Sequence, residues 1–414
     1  MSSSSLQIKQ KIEEIRAGFP ALQQSINGFT PAYFDGPGGT QLPATVQAAF
    51  SNYLASGNSN LGGQFSVSRN TVELVNNARE HAAAMLNAPS RDEIVFGANM
   101  TSMTLHFSRS IARTWKAGDE IILSDADHGA NRSCWAMAAE ERGVTVHYLP
   151  VTGKTCELDI AKLDELLSDK TRLVAVTAAS NLSGTTVDID TVVKKAKAAG
   201  AVAFIDAVHL LPHQLVDVQA LGADFVAASA YKFFGPHLGL IWGHSELLNS
   251  LTPYKVEPAP NYAPNCWETG TLNFEAISAF VEAVKYLASL GEGEDLRSQL
   301  VSGYEQIHAY ETSLAEYFLN ALSQHDDIEL IGQPSAQGRT ATFALRFGDT
   351  PPAEVAAHLG EQEIYAWTGH LYADRLTDAL NITDKGGILR VGLMHYNTTE
   401  EIDRLFVALA KIVS

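Results

Sequence analysis

The chain has 414 residues, a formal charge of −18 from 29 basic against 47 acidic side chains, and three cysteines. That length allows roughly two to three domains, and a hydrophobic share of 46% fills a sizeable core. So large an acidic excess argues against a nucleic-acid binder, which needs basic patches to displace counterions, and against docking on anionic lipid. Three cysteines, Cys134, Cys156 and Cys266, make no disulfide framework and lack the spacing of a structural zinc site. The first residues, Met1-Ser-Ser-Ser-Ser-Leu-Gln7, have no basic leader region, and the most apolar runs are strand-sized. A cytoplasmic protein with no membrane partner and no metal is the expectation.

Residues 5–17 read as a capped amphipathic helix ended by Gly18-Phe19-Pro20. Tyr33-Phe-Asp-Gly-Pro-Gly-Gly-Thr40 then reads as a short strand entering a glycine-rich turn. Helical periodicity follows at 70–87, 101–115, 131–142 and 190–199. Between these stretches lie candidate strands at Glu93–Gly97, Glu120–Ser124, Thr145–Leu149, Arg172–Ala178, Val202–Asp206, Phe225–Ala228 and Leu238–Trp242. Apolar strands separated by helices predict an α/β fold with a mostly parallel sheet. After Asn273 come helices at Ala276–Ser289 and about 296–324. Strands at Ile328–Ile331, Thr340–Phe347, Glu363–Ala366 and Gly387–Val391 follow, the pattern of a smaller α+β domain.

Chemistry concentrates where strands end. Ser229-Ala-Tyr231-Lys232-Phe-Phe-Gly-Pro236 sets a lysine among apolar neighbours. Desolvation lowers the pKa of such an amine, which suits Schiff-base chemistry, although a snorkelling lysine has the same sequence. Asp206 closes a buried strand, where ligands of open α/β sheets bind, and a carboxylate there suits a protonated ring nitrogen or equally a helix N-cap. Asn99-Met100-Thr101-Ser102 links a strand to a helix, so its N–H groups and the two hydroxyls suit a phosphate or an ordinary cap. His128, after another strand, could stack on a planar ring or lie on the surface. Asn181 could be a donor or a turn residue. No G-x-G-x-x-G follows a candidate strand, which argues against a dinucleotide enzyme.

The order of these segments resembles the class V aminotransferase family of fold-type I pyridoxal-phosphate enzymes, and most closely its cysteine desulfurase and selenocysteine lyase branch. The resemblance runs from about Tyr33 to the C-terminus. It includes Trp267-Glu-Thr-Gly-Thr-Leu-Asn273 and Leu389-Arg390-Val391 with the following Tyr396-Asn-Thr-x-Glu-Glu-Ile-Asp403. It implies a large domain (31–285) with a seven-stranded, mostly parallel sheet flanked by helices. A small α+β domain (286–414) and an N-terminal arm (1–30) packed on it complete the expected chain. The cofactor would be pyridoxal 5'-phosphate and the substrate an amino acid. Lys232 would condense with the cofactor's aldehyde and move protons at the substrate α-carbon. Asp206 would hold the ring nitrogen, His128 would cover the ring, and Asn181 would sit near the phenolic oxygen or the substrate carboxylate. Thr101, beside Met100, and Ser229 would bind the phosphate. Thr271 would reach the cofactor of a neighbouring subunit in a homodimer, and Arg390 would clamp the substrate carboxylate.

The pattern also departs from the family. His209 stands where it usually has Gln, as partner of the phenolic oxygen, and Tyr231 where it has a phosphate-binding His. In Ala366-Trp-Thr-Gly-His370-Leu-Tyr372-Ala373, Tyr372 takes the place of the desulfurase cysteine, with His370 a further candidate substrate contact. A phenol with an ordinary pKa near 10 cannot carry sulfur as a persulfide. The expectation is therefore an aminotransferase or a C–S/C–Se lyase. A true cysteine desulfurase or selenocysteine lyase is the alternative, and a non-catalytic relative of the fold is another.

Overall fold

A seven-stranded sheet organises the larger part of the computed structural model, which describes residues 3–412. The strands are β1 (Ala32–Tyr33), β2 (Ile94–Gly97), β3 (Glu120–Ser124), β4 (Thr145–Leu149), β5 (Val151–Thr152), β6 (Glu157–Leu158), β7 (Thr171–Thr177), β8 (Val202–Asp206) and β9 (Phe225–Ser229). They continue as β10 (Gly239–Gly243), β11 (Glu329–Ile331), β12 (Thr342–Arg346), β13 (Ile364–Tyr365), β14 (Trp367–Gly369) and β15 (Ile388–Gly392). The large sheet runs β2-β10-β9-β8-β7-β3-β4, with β10 antiparallel to both neighbours and the other pairings parallel.

Side-chain alternation explains why these strands read as continuous apolar runs. Val174, Val176, Ala203, Ile205, Val226 and Ala228 face one buried cluster, while Leu173, Ala175, Phe204, Phe225 and Ala227 face the other. Both faces are covered by helices, so the central positions of these strands are apolar. The parallel register aligns Thr177 with Asp206 and Asp206 with Ala227, which brings the strand ends to one edge.

The smaller sheet, β11-β12-β15-β14, is antiparallel throughout. Helix Leu296–Leu322 packs against helix Thr399–Ala410 and the N-terminal helix Ser3–Ala17. Ile8 is buried there, and Arg16 pairs with Glu401 at 2.9 Å.

The strand expected at 363–366 is shortened to β13, and an unexpected strand, β14, begins just beyond it. β13 pairs with β1 and β14 with β15, so the chain changes partner at Ala366. The helix expected at 101–115 spans Met100–Ile111 and ends in a short 3-10 turn, while those expected from 70 and 131 begin at Ser66 and Gly129. Their first turns are too polar or too small to announce an apolar stripe. No helix among the described residues is long and apolar enough to cross a membrane, and no group of His, Cys, Asp or Glu among them is placed to hold a metal.

Candidate active site

At the carboxyl edge of the large sheet lies a cavity of about 540 Å³. It is lined by twelve of the thirteen residues singled out from sequence: Met100, Thr101, His128, Asn181, Asp206, His209, Ser229, Tyr231, Lys232, His370, Tyr372 and Arg390. The thirteenth, Thr271, is exposed in a separate surface groove with Asn58–Asn60.

Asp206 is buried, and its Oδ1 accepts the Val208 N–H at 2.9 Å. Burial pushes its carboxyl up to about 6, opposed by that hydrogen bond and by Lys232. No regular helix starts there, so the N-cap alternative falls away. Lys232 ends a short 3-10 turn after β9, its ammonium 4.6 Å above the Tyr231 ring and donating to the carbonyl of Pro37. Burial and then the Arg390 guanidinium pull its amine down to about 7, against the opposing pull of Asp206 and Asp35.

Beside the cavity, Asn99 caps helix Met100–Ile111 by accepting the Ser102 N–H at 2.9 Å. The Ser102 hydroxyl donates back to the Asn99 carbonyl at 3.0 Å and lines a different groove, so the expected pair of hydroxyls reduces to Thr101. The cap leaves other first-turn N–H groups beside Thr101 and buried Ser229. Gly239 permits this closeness, because a Cβ there would lie 2.5 Å from the Asn99 carbonyl carbon. Tyr231 stacks on His237 at 4.8 Å.

His128 caps helix Gly129–Arg142, its Nδ1 accepting the Ala130 N–H at 3.0 Å. Burial, then Lys232 and Arg390, lower this imidazole to about 4, leaving a neutral ring at the cavity. The preceding Asp127 accepts from Ser124 and from Asn131, the latter at 2.8 Å, and burial raises its carboxyl to about 7. Arg390, on β15, is buried and donates Nη1 to the Asn181 carbonyl at 2.8 Å. Asn181 donates Nδ2 to the Leu371 carbonyl at 2.9 Å, while its enclosed Oδ1 has no partner.

The 369–373 loop forms the mouth. Leu371 and Tyr372 both take left-handed conformations, with φ of 50° and 61°. The strain is held in place by Gly129 N–H donating to the Tyr372 carbonyl at 2.7 Å and Tyr372 N–H donating to His370 Nδ1 at 3.1 Å. The exposed Tyr372 ring lies 5.3 Å from that of His128. All three cysteines are buried and none lines the cavity. Burial pushes the thiols of Cys134 and Cys156 up to about 11 and raises that of Cys266.

Trp367, Thr368, Leu371, Thr177, Val208, Pro37 and Gly38 also line the cavity and were not singled out as site residues. The Gly36-Pro37-Gly38 turn was visible as a motif, but its carbonyl partner lies 195 residues away. Glu268, whose Oε2 pairs with Arg79 at 2.7 Å and whose Oε1 accepts the Phe96 N–H at 3.1 Å, anchors β2 from outside the cavity.

A strand-end carboxylate, a depressed lysine, a helix start at the cavity and a buried guanidinium beside an unpartnered amide oxygen fit pyridoxal phosphate with an amino acid. Together with the doubly covered sheet, they define a pyridoxal-phosphate enzyme of fold-type I. The chain belongs to the class V aminotransferase family, whose signature it matches over residues 32–405. It is 33% identical to a cysteine desulfurase of Pectobacterium carotovorum, covering 97% of this chain and 98% of that one. It is 32% identical, at the same coverage, to a probable cysteine desulfurase of Vibrio cholerae. The solved cysteine desulfurase CsdA of Escherichia coli superposes with a TM-score of 0.84 at 27% identity, over 97% of this chain and 98% of that one. The apo cysteine desulfurase of Thermococcus onnurineus shares the fold at 0.88 and 21% identity, with the same coverage.

Proposed function

We propose that this enzyme catalyses aminotransfer or C–S/C–Se elimination on an amino acid, not persulfide-forming desulfuration. The observation that carries the reading is Tyr372 at the cavity mouth, with all three thiols buried elsewhere. A nucleophilic sulfur relay needs an accessible thiolate, and burial disfavours one at each cysteine.

Bound pyridoxal phosphate supplies an electron sink for charge developing at the substrate α-carbon. Asp206 would hold its ring nitrogen, His128 cover its ring, and Thr101, Ser229 and Tyr231 bind its phosphate, with Thr271 of the partner subunit in a cytoplasmic homodimer. Lys232 would bind its aldehyde. Freed from it, an amine titrating near 7 is a competent base at neutral pH, able to take the α-proton and return it elsewhere. Arg390 has one N–H committed to Asn181, which leaves its other edge for the substrate carboxylate. Trp367, His370 and Tyr372 would bound the substrate side chain and restrict water. The reading assigns these roles to a large domain at 31–285 and a small one at 286–414, with 1–30 as an arm.

An amino-acid panel scored for keto acid, pyruvate, ammonia, sulfide and selenide tests the reaction. Keto acid exchange or elimination products that vanish in Lys232→Ala support it; alanine and protein-bound sulfur from cysteine would refute it. True desulfuration is the second reading, favoured by the names of the relatives.

A further inference from the structure

We propose that His209 offers the bound cofactor an acceptor nitrogen, Nδ1, and so favours a protonated phenolic oxygen where a side-chain amide would favour the phenolate; Thr340 fixes that tautomer. The inference deepens the cofactor assignment and is independent of which reaction follows.

His209 is buried at the cavity wall, in the turn that follows β8. Burial, and then His213, Arg390 and Lys232, push its imidazole well below the usual range. The ring is therefore neutral, with one nitrogen a donor and the other an acceptor. Its Nε2 lies 3.1 Å from the Thr340 hydroxyl, which lies 3.4 Å from the Gly184 carbonyl. A hydroxyl has a single proton. Both contacts are hydrogen bonds only if Thr340 donates to Gly184 and accepts from His209 Nε2–H. Nδ1 is then bare, and it has no protein partner among the described residues.

Ring orientation is fixed from the far side. His213, four residues on, meets His209 with ring centroids 5.6 Å apart at 70°. His213 is itself held by Nδ1 bonding to Glu311 Oε2 at 2.6 Å, both side chains buried. A ring so packed cannot turn its nitrogens about without breaking the Thr340 bond.

The test is the absorbance of the holoenzyme at neutral pH, with cofactor content and melting temperature measured alongside. A protonated phenolic oxygen shifts intensity to the near-ultraviolet band, and a phenolate to the visible band. Since one hydrogen bond is worth a factor of about two to ten, His209→Gln should raise the visible-to-ultraviolet ratio by that amount. Thr340→Val should move it the same way, because an Nε2–H with no acceptor favours the other tautomer, and Thr340→Ser should match the wild type. A ratio unchanged or lowered in His209→Gln overturns the proposal. So does a Thr340→Ser spectrum that moves as far as Thr340→Val. A purely structural role would lower the melting temperature and leave the ratio alone. If His209→Gln loses the cofactor, the Thr340 pair decides.

Discussion

The role proposed for Lys232 depends on where the chain buries it. Its free amine, lowered to about 7, means that steps using it as a base should quicken as pH rises to 7 and level off above. The same shift has a stability consequence in the apoprotein. The folded state releases this proton near pH 7, whereas the unfolded chain keeps it to about 10.4. The cost of the buried charge is therefore full below pH 7 and shrinks as pH rises toward the unfolded value. Lys232→Met should raise the apoprotein's melting temperature by a few degrees, with the gain over wild type largest below pH 7 and fading toward pH 10; calorimetry across that range checks it. Arg390→Lys keeps the charge but loses the planar fork at a buried site. Its KM should rise about 10- to 1,000-fold, with a smaller change in kcat, in steady-state assays.

Much of the site was legible at the level of elements, because several of its residues end or follow a strand whose apolar run is unmistakable. Asp206 after Val202–Ile205 and Ser229 after Phe225–Ala228 are the clear cases. What escaped was pairing across the chain. Nothing near Pro37 signals that its carbonyl meets Lys232, and nothing near Ala366 signals a change of sheet. Thr101 and Ser102 look alike in sequence, and only the cap geometry separates them. The same cap predicts a sensitive position on β10. Gly239→Ala would drive a methyl into the Asn99 backbone, so the turn proposed to hold the phosphate must shift. Cofactor affinity should fall about tenfold or more in a fluorescence titration, with a stability loss of about 1–3 kcal/mol.

For the whole molecule, the acidic surplus is no obstacle to a phosphorylated cofactor, since the hydroxyls of Thr101 and Ser229 and helix-start N–H groups are at hand in the proposed phosphate site. The position of Thr271 outside its own subunit's cavity makes the proposed homodimer testable by complementation. Subunits of Lys232→Ala and Thr271→Ala, each impaired alone, should regain activity when unfolded and refolded together, because one site of each heterodimer is then intact. Recovery no greater than the sum of the separate variants would contradict a shared site. The central claim concerns sulfur, and mass spectrometry of the holoenzyme after incubation with cysteine tests it most directly. The account predicts no persulfide on Cys134, Cys156 or Cys266 while substrate turnover proceeds through Lys232. A persulfide on any of the three, formed together with stoichiometric alanine, would contradict it.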